Sequence, residues 1–152
     1  MYQNFIKTLG YGNKGYGLLI SKSKLTKNII LISGFKSNYT YVLNKLNKIF
    51  RKKVKHILLK KNRTDLNLIE NIYAQNKNNT DTIIALGGGS IIDFSKRLVL
   101  KLRKHKKTNF YVVPSILGSG SESSISSIIN TSLEKSIIVN EKFLPDGVIY
   151  DE

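Results

Sequence analysis

Continuous apolar runs that alternate with amphipathic stretches constrain this chain more than any other feature. Asn28-Ile29-Ile30-Leu31-Ile32-Ser33-Gly34 is apolar along almost its whole length and ends in a glycine, as a strand buried on both faces does. Residues 54–59 read as a second strand, and Thr82-Ile83-Ile84-Ala85-Leu86 as a third that stops abruptly at three glycines. Residues 109–113 form a fourth, stopped by Pro114. Between them the apolar period changes to that of a helix. In 38–50, Tyr39, Val42, Leu43, Leu46, Ile49 and Phe50 share one face; in 65–77, Leu66, Ile69, Ile72 and Tyr73 do. Ser90 is expected to open a third helix, with Asp93 completing a capping box and Ile91, Phe94, Leu98 and Leu102 facing inward. The Ser/Gly-rich residues 115–127 read as a loop, and 136–139 and 148–150 as short terminal strands. The fold class that follows is α/β, a Rossmann-like parallel sheet with right-handed crossovers and helices on both faces. No internal repeat or domain boundary is visible, so residues 1–152 are expected to form one domain.

Composition narrows the setting. The chain is 41% hydrophobic and 23% charged, ordinary for a globular protein, and it has no cysteine, which excludes disulfides and thiolate metal sites. No apolar run is long enough to span a bilayer, and the start of the chain lacks a signal-peptide layout. A cytoplasmic location and no membrane partner are the expectations. The net charge of +15 invites a nucleic-acid reading, with Arg51-Lys52-Lys53-Val54-Lys55-His56 as the densest cluster. The sequence is also rich in Asn and Ile, and all three residue types have A/T-rich codons. A generally basic, solvated surface explains the lysines, and nucleic acid is not the expected partner.

Open α/β sheets bind ligands at the carboxyl ends of their strands, where Gly34, Gly87 to Gly89 and Gly118 to Gly120 fall. The second group is the strongest candidate. Glycines let backbone amides approach a phosphate closely, and a helix N-terminus adds free N–H groups and positive dipole. The spacing matches neither the dinucleotide fingerprint G-x-G-x-x-G nor a P-loop. Chemistry alone therefore gives a phosphate site of unspecified kind, or a tight turn without ligand.

Three ordered motifs carry a resemblance. Gly87-Gly88-Gly89-Ser90-Ile91-Ile92-Asp93-Phe94-Ser95-Lys96 resembles the GGGS-x-x-D-x-A-K signature of iron-containing (group III) alcohol dehydrogenases, with Ser95 in place of alanine. Pro114-Ser115-Ile116-Leu117-Gly118-Ser119-Gly120-Ser121-Glu122 is similar to that family's P-T-T-x-G-T-G-S-E loop. Phe143-Leu144-Pro145-Asp146-Gly147-Val148-Ile149-Tyr150-Asp151 is similar to the stretch that closes its first domain.

The resemblance implies that Gly87, Gly88, Gly89 and Ser90 hold a cofactor pyrophosphate. Ser115 and Ser119 stand where family threonines contact the cofactor, and both keep a hydroxyl; Ile116 replaces a third threonine and loses it. Lys135 matches a lysine that approaches the nicotinamide ribose, the alternative being an exposed surface lysine. Gly34 stands where NAD-preferring members carry an aspartate, with Lys36 and Ser37 just beyond; the cofactor is NADP or NAD, with NADP favoured.

The family's metal, Fe2+ or Zn2+, is bound by one aspartate and usually three histidines in an all-helical second domain, which this sequence does not include. His56 and His105 lie beside basic runs and read as surface side chains, and Asp151 reads as the aspartate that ends the first domain. No metal ligand and no catalytic residue is expected in this chain. The expected function is therefore the dinucleotide-binding portion of an NAD(P)-dependent, metal-dependent alcohol dehydrogenase or aldehyde reductase, without turnover by these residues alone. Its partners would be a dinucleotide and either a helical metal-binding domain or chain, or a second copy in a homodimer. The alternatives are a basic nucleic-acid-binding α/β module and one half of a split dehydrogenase.

Overall fold

Strands β2 (Ile29–Gly34), β4 (Thr82–Gly87) and β5 (Asn109–Pro114) are buried along nearly their whole length, and they form the middle of a six-stranded parallel sheet. A computed structural model describes residues 9–12, 15–17, 27–35, 39–51, 54–60, 65–116, 118–130 and 134–151. The sheet runs β3 (Lys55–Leu59), β2, β4, β5, β8 (Gly147–Tyr150), β1 (Leu9–Tyr11), every neighbouring pair parallel. Alternate residues serve opposite cores. Ile29, Leu31, Ile84 and Leu86 pack against Val42 and Leu46 of α1 (Tyr39–Phe50). Ile30, Ile32, Ile83 and Ala85 face α2 (Leu66–Asn76) and α3 (Gly89–Leu102), meeting Ile69, Ile72, Ile92 and Leu98. Each such side chain contributes about 1.5–3 kcal/mol when removed from water. The pattern read as buried strands separated by one-faced helices thus gives the Rossmann-like α/β fold.

Strand order reverses at β2 and β4. The chain leaves β2 towards β3 and leaves β4 towards β5, so the carboxyl ends of β2 and β4 flank a crevice, where sheets of this kind take their ligands. The helix entries there differ. Asp65 caps α2, its carboxylate accepting from the Leu68 amide at 2.6 Å. Gly88 caps α3 and has no side chain to do so. No helix among the described residues is long and apolar enough to cross a membrane.

The structure corrects the order of strands and loops expected from the sequence in two places. Residues 115–127 are not loop throughout: β6 (Ser126–Asn130) begins inside them and pairs antiparallel with β7 (Lys135–Val139), so the strand expected at 136–139 belongs to a separate hairpin. The reason is chemical. The inward face of β6 carries Ser127, fully buried, whose hydroxyl donates to the Asp93 carbonyl and accepts from Arg97 Nε, so the strand lacks the apolar alternation that announces one. The three-residue β1, paired to the edge of β8, is too short to carry a period at all.

Candidate functional site

The crevice is organised by one apolar side chain, Ile91, in the first turns of α3. A Cβ built on Gly87 would stand 2.8 Å from Ile91 Cγ1, and one on Gly34 would stand 3.2 Å from Ile91 Cδ1. Gly87 also has φ +154°, in the region that favours glycine. The end of β4 therefore closes on the start of α3 because Gly87 is glycine, while at Gly34 a side chain would need Ile91 to give by a few tenths of an ångström. Gly88 follows in extended conformation and accepts from the amides of Ile91 and Ile92 at 3.1 and 3.2 Å. The N–H groups ahead of them have no intrahelical partner by construction and face outward with the positive end of the helix dipole.

The loop after β5 leans over this turn. The Ser115 amide donates to the Gly87 carbonyl at 3.1 Å, locking the two strand ends together. A Cβ on Gly89 would meet Ser121 Oγ at 3.0 Å and Ser119 Cβ at 3.6 Å, so the absence of a side chain there keeps the cradle open. The structure thus brings Gly34, Gly87, Gly88, Gly89, Ser90, Ser115 and Ser119 to one end of the sheet, with Ser90, Ser115 and Ser119 exposed. Lys135 stands outside this cluster, exposed at the start of β7 opposite Asn130. Lys36 and Ser37 lie outside the described residues.

The capping box expected from Ser90 and Asp93 is not formed. The helix starts at Gly89, which puts Asp93 two residues too far along, and its carboxylate accepts instead from the Ile128 amide of β6 at 3.1 Å. Beside it Lys96 is fully buried; its Nζ donates to the carbonyls of Ser124 and Ser126 at 2.9 and 2.6 Å and lies 3.6 Å from Asp93 Oδ1. Burial pushes the Lys96 ammonium down and the Asp93 carboxyl up, each opposed by the attraction of the other. Arg97 donates to Ser127 Oγ and to the carbonyls of Ser127 and Ser136. Glu122, at the end of the same loop, is buried, and its Oε2 has no hydrogen-bond partner among the described residues. Asp93, Lys96 and Arg97 hold residues 124–128 against α3, and Glu122 adds its charge near Lys96. None was singled out as a site residue from the sequence, although charges set among the apolar positions of α3 were the available signal.

His56 is not a plain surface side chain. Its Nε2 lies 2.7 Å from Ser33 Oγ and its ring lies against Tyr39, with burial pushing its pKa down. His105 is exposed beside Tyr73. Asp151 accepts from Tyr16 Oη at 2.9 Å and from Lys45 Nζ at 3.3 Å. Among the described residues no three of His, Asp and Glu gather where a metal ion could be held, so these residues do not fit a metal centre.

The family model described as iron-containing alcohol dehydrogenase matches residues 16–152. The chain belongs to that family. An iron-containing alcohol dehydrogenase from Thermococcus thioreducens has the same fold, with TM-score 0.82 at 21% identity over 99% of this chain and 46% of its own. NADH-dependent butanol dehydrogenase A from Thermotoga maritima gives 0.75 at 13%, covering 99% of this chain and 44% of its own. Sulfoacetaldehyde reductase from Bifidobacterium kashiwanohense, in complex with NAD+, gives 0.74 at 16%, covering 97% and 45%. This iron-containing alcohol dehydrogenase domain therefore spans less than half the length of the solved relatives it matches. No curated protein matches the sequence.

Proposed function

We propose that this domain binds a nicotinamide dinucleotide, NADP or NAD, with the pyrophosphate on the amides of Gly88, Gly89 and Ser90. One observation carries the reading: at the switch in strand order, a helix enters without a side-chain cap, and a side chain on Gly89 would occupy the space in front of it. Uncapped amides at a helix N-terminus suit an anion, and the glycine turn lets the phosphates come to backbone distance. A dinucleotide fits these residues. The Ser90, Ser115 and Ser119 hydroxyls would orient it from the two sides of the turn. At Gly34 no carboxylate is present to repel a 2′-phosphate, which favours NADP.

Bound there, the nicotinamide would supply the hydride chemistry of alcohol oxidation or aldehyde reduction. Among the solved relatives, the butanol dehydrogenase is NADH-dependent and the sulfoacetaldehyde reductase was captured with NAD+. The chain's own residues bind and orient; with no set of metal ligands among the described residues, the role proposed for them is binding without turnover. A helical metal-binding domain or chain would complete the reaction.

The test is titration with NADPH and NADH, read by calorimetry and nicotinamide fluorescence. Saturable binding is expected, and Gly89→Leu should weaken it at least about tenfold, because its Cβ already meets the Ser121 hydroxyl and lies against Ser119, so the side chain fills the cradle. Absence of saturable heat with both cofactors refutes the reading.

A further inference from the structure

Among the described residues the positive charge is unevenly placed, with Lys60 just after β3 an exception at the crevice end, and the open clefts follow it. Because the six-stranded sheet is parallel throughout, the amino ends of its strands and the carboxyl ends of its helices share one end of the molecule, opposite the glycine crevice. Lys55 opens β3 there, Lys77 and Arg103 end α2 and α3, Lys104 and Lys107 lie in the connection to β5, and Lys142 lies in the 3-10 turn (Glu141–Phe143) before β8. Two of the acids at this end are already engaged. Asp81 is held by Lys106 at 2.6 Å and by the Asn28 amide at 3.0 Å, and Asp146 by Arg103 at 2.8 Å and the Phe110 amide at 2.9 Å. Glu141 lies here too, whereas Asp65, Asp93, Glu122 and Asp151 fall towards the other end. A codon bias scatters lysines along a sequence but does not gather them on one end of a fold. Helix dipoles favour a cation at each helix carboxyl terminus but not the rest.

Two clefts open on this end. One of about 400 Å³ is lined by Arg103, Lys107, Thr108, Asn109 and Lys142, with the carboxylates of Glu141 and of the Arg103-bound Asp146 also on its wall. A second, of about 290 Å³, is lined by Lys55, Asn76, Asn79 and Thr80 among others. Ammonium groups interleaved with amides and hydroxyls are the donors that phosphate oxygens take. The large apolar side chains exposed among the described residues lie elsewhere, Phe35 and Ile116 beside the crevice, Ile137 and Val139 on the hairpin. A membrane-surface site needs such groups together with the cations, so this end suits a water-borne polyanion.

We propose that the basic end binds the phosphodiester backbone of nucleic acid, independently of base sequence. Lysines that neutralise phosphates release counterions, so binding falls steeply with salt. Strands of six residues separate this end from the crevice by about 20 Å, which lets nucleic acid and dinucleotide bind together. The inference does not depend on the dinucleotide reading.

The experiment is fluorescence anisotropy of labelled 20-nucleotide RNA and DNA single strands with the 152-residue chain, beside an NADPH titration. Binding is expected at 50 mM salt, weakened about a hundredfold at 200 mM for roughly five phosphate contacts, and similar for the two nucleic acids. Lys104→Glu/Lys107→Glu/Lys142→Glu changes three exposed side chains; it should cost at least about tenfold in strand binding and leave the thermal melt and NADPH binding unchanged. Gly89→Leu should do the reverse. No binding at 50 mM salt, binding untouched by the triple variant, displacement by NADPH, or capture by anionic vesicles without capture of either strand each overturns the proposal. Strand binding without NADPH binding sustains it and removes the dinucleotide reading instead.

Discussion

At the scale of single residues, the crevice depends on what Gly34 and Gly87 lack. Gly87→Ala places a methyl within 2.8 Å of Ile91 Cγ1 and forces an L-residue to φ +154°. Strain of this kind costs about 1–3 kcal/mol, expected as a loss of stability in urea unfolding together with weaker dinucleotide binding; an unchanged midpoint would show that the turn relaxes freely. Gly34 is different, because its contact is with the flexible end of Ile91 at 3.2 Å and its φ needs no glycine. Gly34→Asp is therefore expected to fold. It should move the NADPH-to-NADH affinity ratio at least about tenfold towards NADH, since a carboxylate accepts from the ribose hydroxyls and repels a 2′-phosphate. Parallel titrations of the two cofactors read that ratio, and a ratio that stays put removes Gly34 from cofactor selection.

At the scale of elements, the sequence made the sheet legible and concealed the hairpin. The strands β2, β4 and β5 are apolar on both faces because helices cover both, and so they read as unbroken runs. The glycine turn was legible as a turn, because an apolar strand that ends in three glycines before a helical period has to break there. The β6–β7 hairpin is attached to α3 by polar bonds, with Ser127, Ser136 and the Ile128 amide meeting Arg97 and Asp93, and hydrophobic period cannot report such an attachment. Its centre is Lys96, a fully buried cation holding two carbonyls. Lys96→Met keeps the length of the side chain and leaves Asp93 buried beside an uncharged partner, a change that typically costs about 3–5 kcal/mol. The 118–127 segment should loosen with it. Urea unfolding is expected to show the loss and hydrogen exchange to show faster opening of β6 and β7 than of β4; equal protection across all three would mean that the hairpin is held by something other than this network.

At the scale of the whole molecule, Tyr16 and Asp151 join residues near the two ends of the chain. The Tyr16 hydroxyl donates to Asp151 at 2.9 Å, Lys45 Nζ donates to the same carboxylate at 3.3 Å, and that ammonium sits 4.3 Å from the centre of the Tyr16 ring. Burial, then the hydrogen bond and the negative charge of Asp151, push the Tyr16 hydroxyl up from its usual 10.0. The sign of the consequence follows from linkage. Below pH 10 the phenol is protonated in both states and its contribution is complete; above it the unfolded chain releases the proton while the folded chain retains it, so stability falls as pH rises. Lys45, pushed up from 10.5 by its bonds to Tyr41 and Asp151 against the opposing effect of burial, contributes with the same sign. Lys96, pushed down by burial, acts oppositely and at lower pH, gaining stability as pH rises from its lowered value towards 10.5. Tyr16→Phe separates these effects because it keeps the ring under Lys45 and removes only the hydroxyl. At pH 8 the lost hydrogen bond should cost about 1 kcal/mol, and the cost should shrink by pH 11, where the wild-type chain must also hold a phenol that water would have ionised. Urea unfolding of both proteins at the two pH values measures this. The same difference at pH 8 and pH 11 would mean that Tyr16 is not the group whose titration loosens the two ends of the chain.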